Sequence, residues 1–107
     1  MPEDEDRRDR HGRLLVHLTA STDTTMLRLC GDVLTNDMGF EQLDRFHAPE
    51  EKWWDFDLGG TRLILHWHHE QGLDLTANDT ELPTERLTRQ VAALLRARID
   101  GYEPSRA

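Results

Sequence analysis

The sequence lacks the features that form disulfides, membrane spans or secretory signals. It contains one cysteine in 107 residues, so no internal disulfide can form. No apolar run approaches the roughly 18 residues that span a bilayer. The first residues, MPEDEDRRDRHGR, also lack the apolar centre of a secretory signal. We therefore expect a cytoplasmic protein with no membrane contact, in which Cys30 is a small buried residue.

Basic residues are scarce in the middle of the chain. The formal net charge is −8, and between Asp37 and Glu81 eleven acids stand against three bases. A surface of this sign repels phosphate backbones, which argues against direct nucleic-acid binding through it. A basic protein is the natural electrostatic complement of such a surface.

The length predicts one domain, because 107 residues suffice for a single core and leave no room for a second. Residues 1–13 mix five acids with four bases, which predicts a disordered leader. Residues 14–101 form the predicted α+β domain, and residues 102–107 are expected to be a disordered tail.

Two helices and a first strand are predicted from periodicity. Residues 13–20 alternate as a strand does. Apolar residues recur at helical spacing over 23–34, after N-cap candidates in Ser21-Thr22-Asp23, and TNDMG is expected to end that helix. A second helix is predicted over 83–100, with Asp79 or Thr80 as its cap.

The stretch WWDFDLGGTRLILHWH predicts a β-hairpin. If Gly59-Gly60 is a two-residue loop, one face carries Trp54, Phe56, Leu58, Leu63, Leu65 and Trp67. A following three-residue loop, Glu70-Gln71-Gly72, keeps Leu73 and Leu75 on that apolar face. This loop would pair His68 with Asp74.

Residues 40–51, FEQLDRFHAPEE, permit two interpretations. A strand would place Phe40, Gln42, Asp44 and Phe46 on one face, which mixes apolar and polar side chains. A short helical turn would instead align Phe40, Leu43 and His47. We favour a strand, with a β-bulge as the way to reconcile the pattern.

The predicted order is therefore β-α-(β)-β-β-β-α, an antiparallel meander with both helices packed on one face. With WWDFDLGGTRLILHWH in the middle of the meander, this layout resembles small bacterial families of unknown function over roughly residues 14–100. Such families supply no site residues. By size and charge the chain is also similar to bacterial immunity and inhibitor proteins.

One candidate site is a metal centre on the polar face of the sheet. The predicted pairing brings Glu51, His68 and Asp74 side by side, with His66 in the adjacent row. Imidazole and carboxylate are ordinary zinc ligands, and three of them would leave one position open for water. The alternative is that these residues are simply the solvent face of a half-exposed sheet.

The other candidate site is a protein-binding surface on the same face. Trp53 is a large aromatic residue among polar ones, and Glu51, Asp55, Asp57 and Asp74 would form a charged rim around it. No Ser-His-Asp or Cys-His arrangement is supported, which favours a binding role over an enzyme. The sequence thus predicts an inhibitor, immunity-type or adaptor module. A third interpretation is that the charge serves only solubility.

Overall fold

The computed structural model describes residues 7–102. In chain order its elements are β1 (Arg7–Arg8), β2 (Leu14–Thr19), α1 (Thr24–Asp32) with a π-helical extension (Val33–Asp37), β3 (Glu41–His47), β4 (Glu51–Leu58), β5 (Thr61–His68), β6 (Gly72–Ala77) and α2 (Leu82–Gly101). No helix among these residues has both the length and the apolar character needed to cross a membrane.

The six strands form one antiparallel sheet in the order β1-β2-β6-β5-β4-β3. Strands β3 to β6 form the predicted meander, and β2 returns to pair with β6. Both helices pack on the same side of this sheet, so the α+β prediction is confirmed. Among residues 7–102, the outermost strands β1 and β3 each have one edge without a neighbouring strand.

The core lies between the sheet and the two helices. Trp54 and Trp67 remain only 6% and 7% exposed, and Phe56 and Leu65 are fully buried beside them. The predicted common face of these four residues is confirmed. Leu58 shares their alternation but is exposed at the hairpin turn. The helices add Leu27, Cys30, Leu34, Val91 and Leu95 to the same core.

Helix α1 begins where the sequence predicts and ends later. Asp23 is its N-cap, with the side chain accepting a hydrogen bond from the Thr25 N–H. The helix runs three residues past the predicted end at 34, because a π-helical turn continues to Asp37, and it stops within TNDMG as predicted. Burial of Val33 and Leu34 holds this turn in the core, and Asp37 forms an ion pair with Arg98 of α2.

The β4–β5 hairpin has the predicted register, with Leu58 opposite Thr61 and Trp53 opposite His66. The predicted β5–β6 register is wrong by two residues, since His66, and not His68, is opposite Asp74. The turn residues are 69–71, and Gly72 pairs with His68 at the start of β6. Gly72 has φ of +97°, and a Cβ there would lie 2.1 Å from the Thr19 carbonyl oxygen. The backbone at the end of β2 approaches so closely that only glycine fits at position 72.

Residues 41–47 form a strand, as favoured, and the pairing of β3 with β4 is irregular between Gln42 and Arg45. An extra residue there reverses the alternation. Gln42 is opposite Phe56 on the helix side, whereas Phe46 is opposite Trp53 on the other side. The expectation that Phe40, Gln42, Asp44 and Phe46 share one face is therefore wrong.

Helix α2 covers Leu82–Gly101, close to the predicted 83–100. The predicted N-caps are wrong, because the cap position is Glu81 and its side chain makes no capping bond. Asp79 instead accepts a hydrogen bond from the Glu81 N–H, which shapes the turn before the helix.

The predicted leader is only partly described. Residues 1–6 lie outside the described residues, as do 103–107 of the predicted tail. Arg7–Arg8 pair with β2, and Arg8 forms an ion pair with the buried Glu85 of α2. Asp9 binds the Arg13 side chain and backbone. These contacts differ from the disorder expected for 7–13, because the mixed charges of that segment find partners in the fold.

Candidate functional site

The side of the sheet away from the helices, here called the open face, carries most of the predicted site residues. Strand alternation brings these side chains there: Leu15 and His17 of β2, Glu41, Asp44 and Phe46 of β3, Glu51, Trp53, Asp55 and Asp57 of β4, Arg62, Ile64, His66 and His68 of β5, and Asp74 and Thr76 of β6. Six carboxylates therefore share this surface. Arg62 of β5 lies among them, with its Nε 4.0 Å from Oδ1 of Asp57.

Trp53 is held in place by a chain of two contacts. Its indole stacks on the imidazole of His66, with ring centroids 3.7 Å apart and planes inclined by 11°. The His66 Nε2 lies 2.8 Å from Glu51 Oε1. Since a carboxylate only accepts, His66 donates from Nε2. The carboxylate thus orients the imidazole, and the imidazole orients the tryptophan.

Phe46 extends this aromatic surface to the edge of the sheet. It is directly opposite Trp53 on β3 and is 54% exposed. Sequence reasoning missed this residue, because simple alternation from Phe40 assigns Phe46 to the core side. The mixed polarity of FEQLDRF was the signal for the bulge that turns Phe46 outward.

Asp74 belongs to a second pair and not to the predicted metal row. Its Oδ1 accepts from Nδ1 of His17 on β2, at 2.8 Å. The expected row of Glu51, His68 and Asp74 does not form, because the two-residue shift places Asp74 opposite His66. Glu51 and Asp74 each bind a histidine instead of sharing one.

Asp55 lies in an unfavourable electrostatic environment. Burial, and then the neighbouring carboxylate of Asp44, raise the pKa of Asp55 above its ordinary value, while Arg62 opposes this shift. Across residues 7–102, neither Asp44 nor Asp55 has a cation within ion-pair distance. The two carboxylates beside Trp53 therefore repel each other, and Arg62 offsets this repulsion only in part.

A different set of potential metal ligands meets at the β5–β6 turn. Ligand atoms of His68, His69 and Glu70 lie within 4.8 Å of one another. However, Nδ1 of His68 accepts a hydrogen bond from the Glu70 backbone N–H at 3.1 Å. Coordination through Nδ1 would displace this bond, and coordination through Nε2 would require a proton on Nδ1. Either mode costs a contact that positions the turn.

Cys30 is not a reactive centre. The residue is fully buried in the core, and burial raises the pKa of its thiol to about 12. A thiolate is the nucleophilic form, so this thiol is inert near neutral pH.

No protein-family model, curated protein or solved structure matches this chain. The chemistry of the open face therefore has to be interpreted from its own geometry.

Proposed function

We propose that the open face binds a protein partner that presents basic side chains. The observation that carries this proposal is the exposed Phe46 opposite the partly buried Trp53, beside the mutually repelling carboxylates Asp44 and Asp55. Binding energy in interfaces concentrates on aromatic residues enclosed by a polar rim. The arrangement has both parts on a surface that the helices leave uncovered.

The rigidity of Trp53 supports the same conclusion. Stacking on His66, which is itself bound to Glu51, fixes the indole before any partner arrives. Ordering a free interface side chain costs about 0.5–1.5 kcal/mol on association. A pre-oriented tryptophan avoids most of that cost.

The electrostatics define the kind of partner. A lysine or arginine placed between Asp44 and Asp55 would relieve their repulsion and lower the raised pKa of Asp55. The whole acidic face would also attract a basic protein over a distance, which raises the rate of association. An inhibitor, immunity-type or adaptor role fits a partner of this chemistry.

The test is affinity capture from native lysate with matched baits, followed by kinetics on any captured protein. Trp53→Ala and the double variant Asp44→Asn with Asp55→Asn carry changes on the open face. Leu94→Ser changes an exposed residue of α2 and is the control. We expect the wild-type and Leu94→Ser baits to recover the same partner and the open-face variants to lose it.

Kinetic measurements separate the two contributions. Removing the carboxylates should chiefly slow association and reduce its salt dependence, and Trp53→Ala should chiefly speed dissociation. Recovery of the same proteins by all four baits would show that binding does not use this face.

The metal-binding alternative stays a prediction with less support. Glu51 is hydrogen-bonded to His66, and Asp74 is hydrogen-bonded to His17. The two carboxylates of the expected ligand set therefore belong to separate pairs. The His68-His69-Glu70 cluster is the remaining candidate, at the cost of the turn contact described above.

A further inference from the structure

A basic cleft lies on the opposite side of the sheet from the open face. It opens where α1 passes over the outer strands β3 and β4, and its volume is about 270 Å³. Its walls are Thr24, Leu27 and Arg28 of α1, Arg45 and His47 of β3, and Lys52 and Trp54 of β4. None of these residues belongs to the proposed protein-binding surface.

The charge of this cleft is opposite to that of the chain. Arg28, Arg45 and Lys52 converge on it although the protein has a formal net charge of −8. Within residues 7–102, no carboxylate lies within ion-pair distance of any of the three. Asp23, at the start of α1, is turned toward the Thr25 N–H at 2.9 Å and does not line the cleft.

The aromatic floor of the cleft orients its donors. The guanidinium of Arg45 lies 4.0 Å from the centre of the Trp54 ring, and its Nη2 donates to Gln42 Oε1 at 3.2 Å. The Trp54 indole N–H donates to Nε2 of His47 at 2.9 Å. An indole nitrogen only donates, so a neutral His47 carries its proton on Nδ1.

These groups suit a small anion of high charge density. Arginine offers several N–H donors in a plane, and lysine adds a compact positive charge, which together match the oxygens of a phosphate group. Thr24 also lines the wall, and threonine carries a hydroxyl that can donate. None of the three cations forms an ion pair with a described residue, although Asp23 attracts Arg28 and Lys52 Nζ lies 5.4 Å from the centre of the Trp67 ring. Their combined charge is balanced better by a phosphate dianion than by a single carboxylate.

The size and surroundings of the cleft restrict the ligand further. A polyanion such as nucleic acid would meet the acidic remainder of the protein. A small ligand experiences mainly the charges within the screening length, which is about 8 Å at physiological ionic strength. A volume of about 270 Å³ holds a phosphate with a small organic substituent.

We propose that the cleft formed by Arg28, Arg45, Lys52 and Trp54 binds the phosphate group of a small phosphate monoester. Arg45 and Lys52 contact the phosphate oxygens from the strands, and Arg28 contacts them from α1. Protein binding on the open face and phosphate binding in the cleft use opposite sides of the sheet, so one can fail without the other.

The test follows the Trp54 indole N–H by two-dimensional NMR on the full chain, with its signal assigned from a Trp54→Phe sample. Glycerol 3-phosphate and inorganic phosphate are titrated separately, against sodium chloride at equal ionic strength. We expect a saturable shift of this signal with the monoester and none with chloride. Saturation by inorganic phosphate alone would overturn the monoester assignment.

Three charge variants complete the experiment. Arg28→Gln and Lys52→Gln should each weaken binding by about tenfold or more, as loss of a charge-assisted hydrogen bond implies. Arg86→Gln removes the same charge from an exposed position on α2 and should leave the affinity unchanged. Arg28 is exposed, so its variant should keep the fold. Equal weakening by Arg86→Gln, or a shift that never saturates, would overturn the proposal.

Discussion

Trp53 and Trp54 are adjacent in sequence and lie on opposite sides of the sheet. Trp54 is 6% exposed beneath α1, whereas Trp53 is only partly buried and stacks on His66 of the open face. One tryptophan therefore belongs to the core and the other to the proposed interface. Their substitutions should separate stability from binding.

Trp54→Ala should lower the free energy of unfolding by roughly 3–5 kcal/mol, because it empties a large core site. Trp53→Ala should cost about 1 kcal/mol, mainly through lost stacking on His66. Urea denaturation of the two variants measures both values. Equal costs would mean that Trp53 is as much a core residue as its neighbour.

Gly31→Ala should destabilise the protein although alanine is the better helix former. The intrinsic gain is about 1 kcal/mol at most. A Cβ at residue 31 would lie 2.8 Å from Cζ3 of Trp54, and that buried ring has little room to move. Overpacking of this kind costs typically about 1–3 kcal/mol.

Asp32→Ala is the matched control for this prediction, since it lies next along the helix with an exposed side chain. It should be neutral or slightly stabilising. A Gly31→Ala protein with a higher denaturation midpoint than wild type would contradict the contact with Trp54.

Asp55→Asn should stabilise the protein at neutral pH. The pKa of Asp55 is raised in the folded state, so above that pKa its charge destabilises the fold. As pH falls through the folded pKa toward the ordinary aspartate pKa of 3.8, this penalty disappears. The difference between variant and wild type should therefore be largest near pH 7 and shrink in acid.

Denaturation midpoints at several pH values measure this difference. Glu50→Gln removes one negative charge from the exposed turn between β3 and β4 and should not reproduce the effect. A difference that grows as pH falls would mean that Asp55 is stabilised as a carboxylate by a cation, contrary to its surroundings.

Zinc should leave the melting temperature of the metal-free protein unchanged at micromolar concentrations. Binding to the folded state alone would raise it in proportion to the logarithm of ligand excess. A rise abolished by His69→Asn would establish a site at the β5–β6 turn. A rise abolished by His66→Asn would instead show that zinc displaces the contact with Glu51.

The sequence alone predicts much of the sheet. Alternation along β4 and β5 separates Trp54 and Phe56 from Trp53 and Asp55, because one face must be apolar to form a core. Gly59-Gly60 then determines the register of that hairpin. The positions of the proposed partner-binding residues of β4 follow from these two facts.

The β5–β6 register, in contrast, cannot be predicted from the sequence pattern. A shift of two residues keeps every side chain on the same face, so the apolar pattern cannot distinguish the two pairings. The decision comes from Gly72, whose position is determined by contact with the backbone of β2 at Thr19 and Ala20. For this reason the sequence located Asp74 on the correct face and beside the wrong histidine.

Only the tertiary structure decided the two remaining features. The bulge in β3 turns Phe46 toward Trp53, and it depends on how β3 packs against β4 and not on a local sequence rule. The basic cleft joins Arg28 to Arg45 and Lys52, residues of a helix and two strands with no common periodicity. Alternation along a strand is a local property that a sequence displays, whereas the approach of distant segments depends on how whole elements pack.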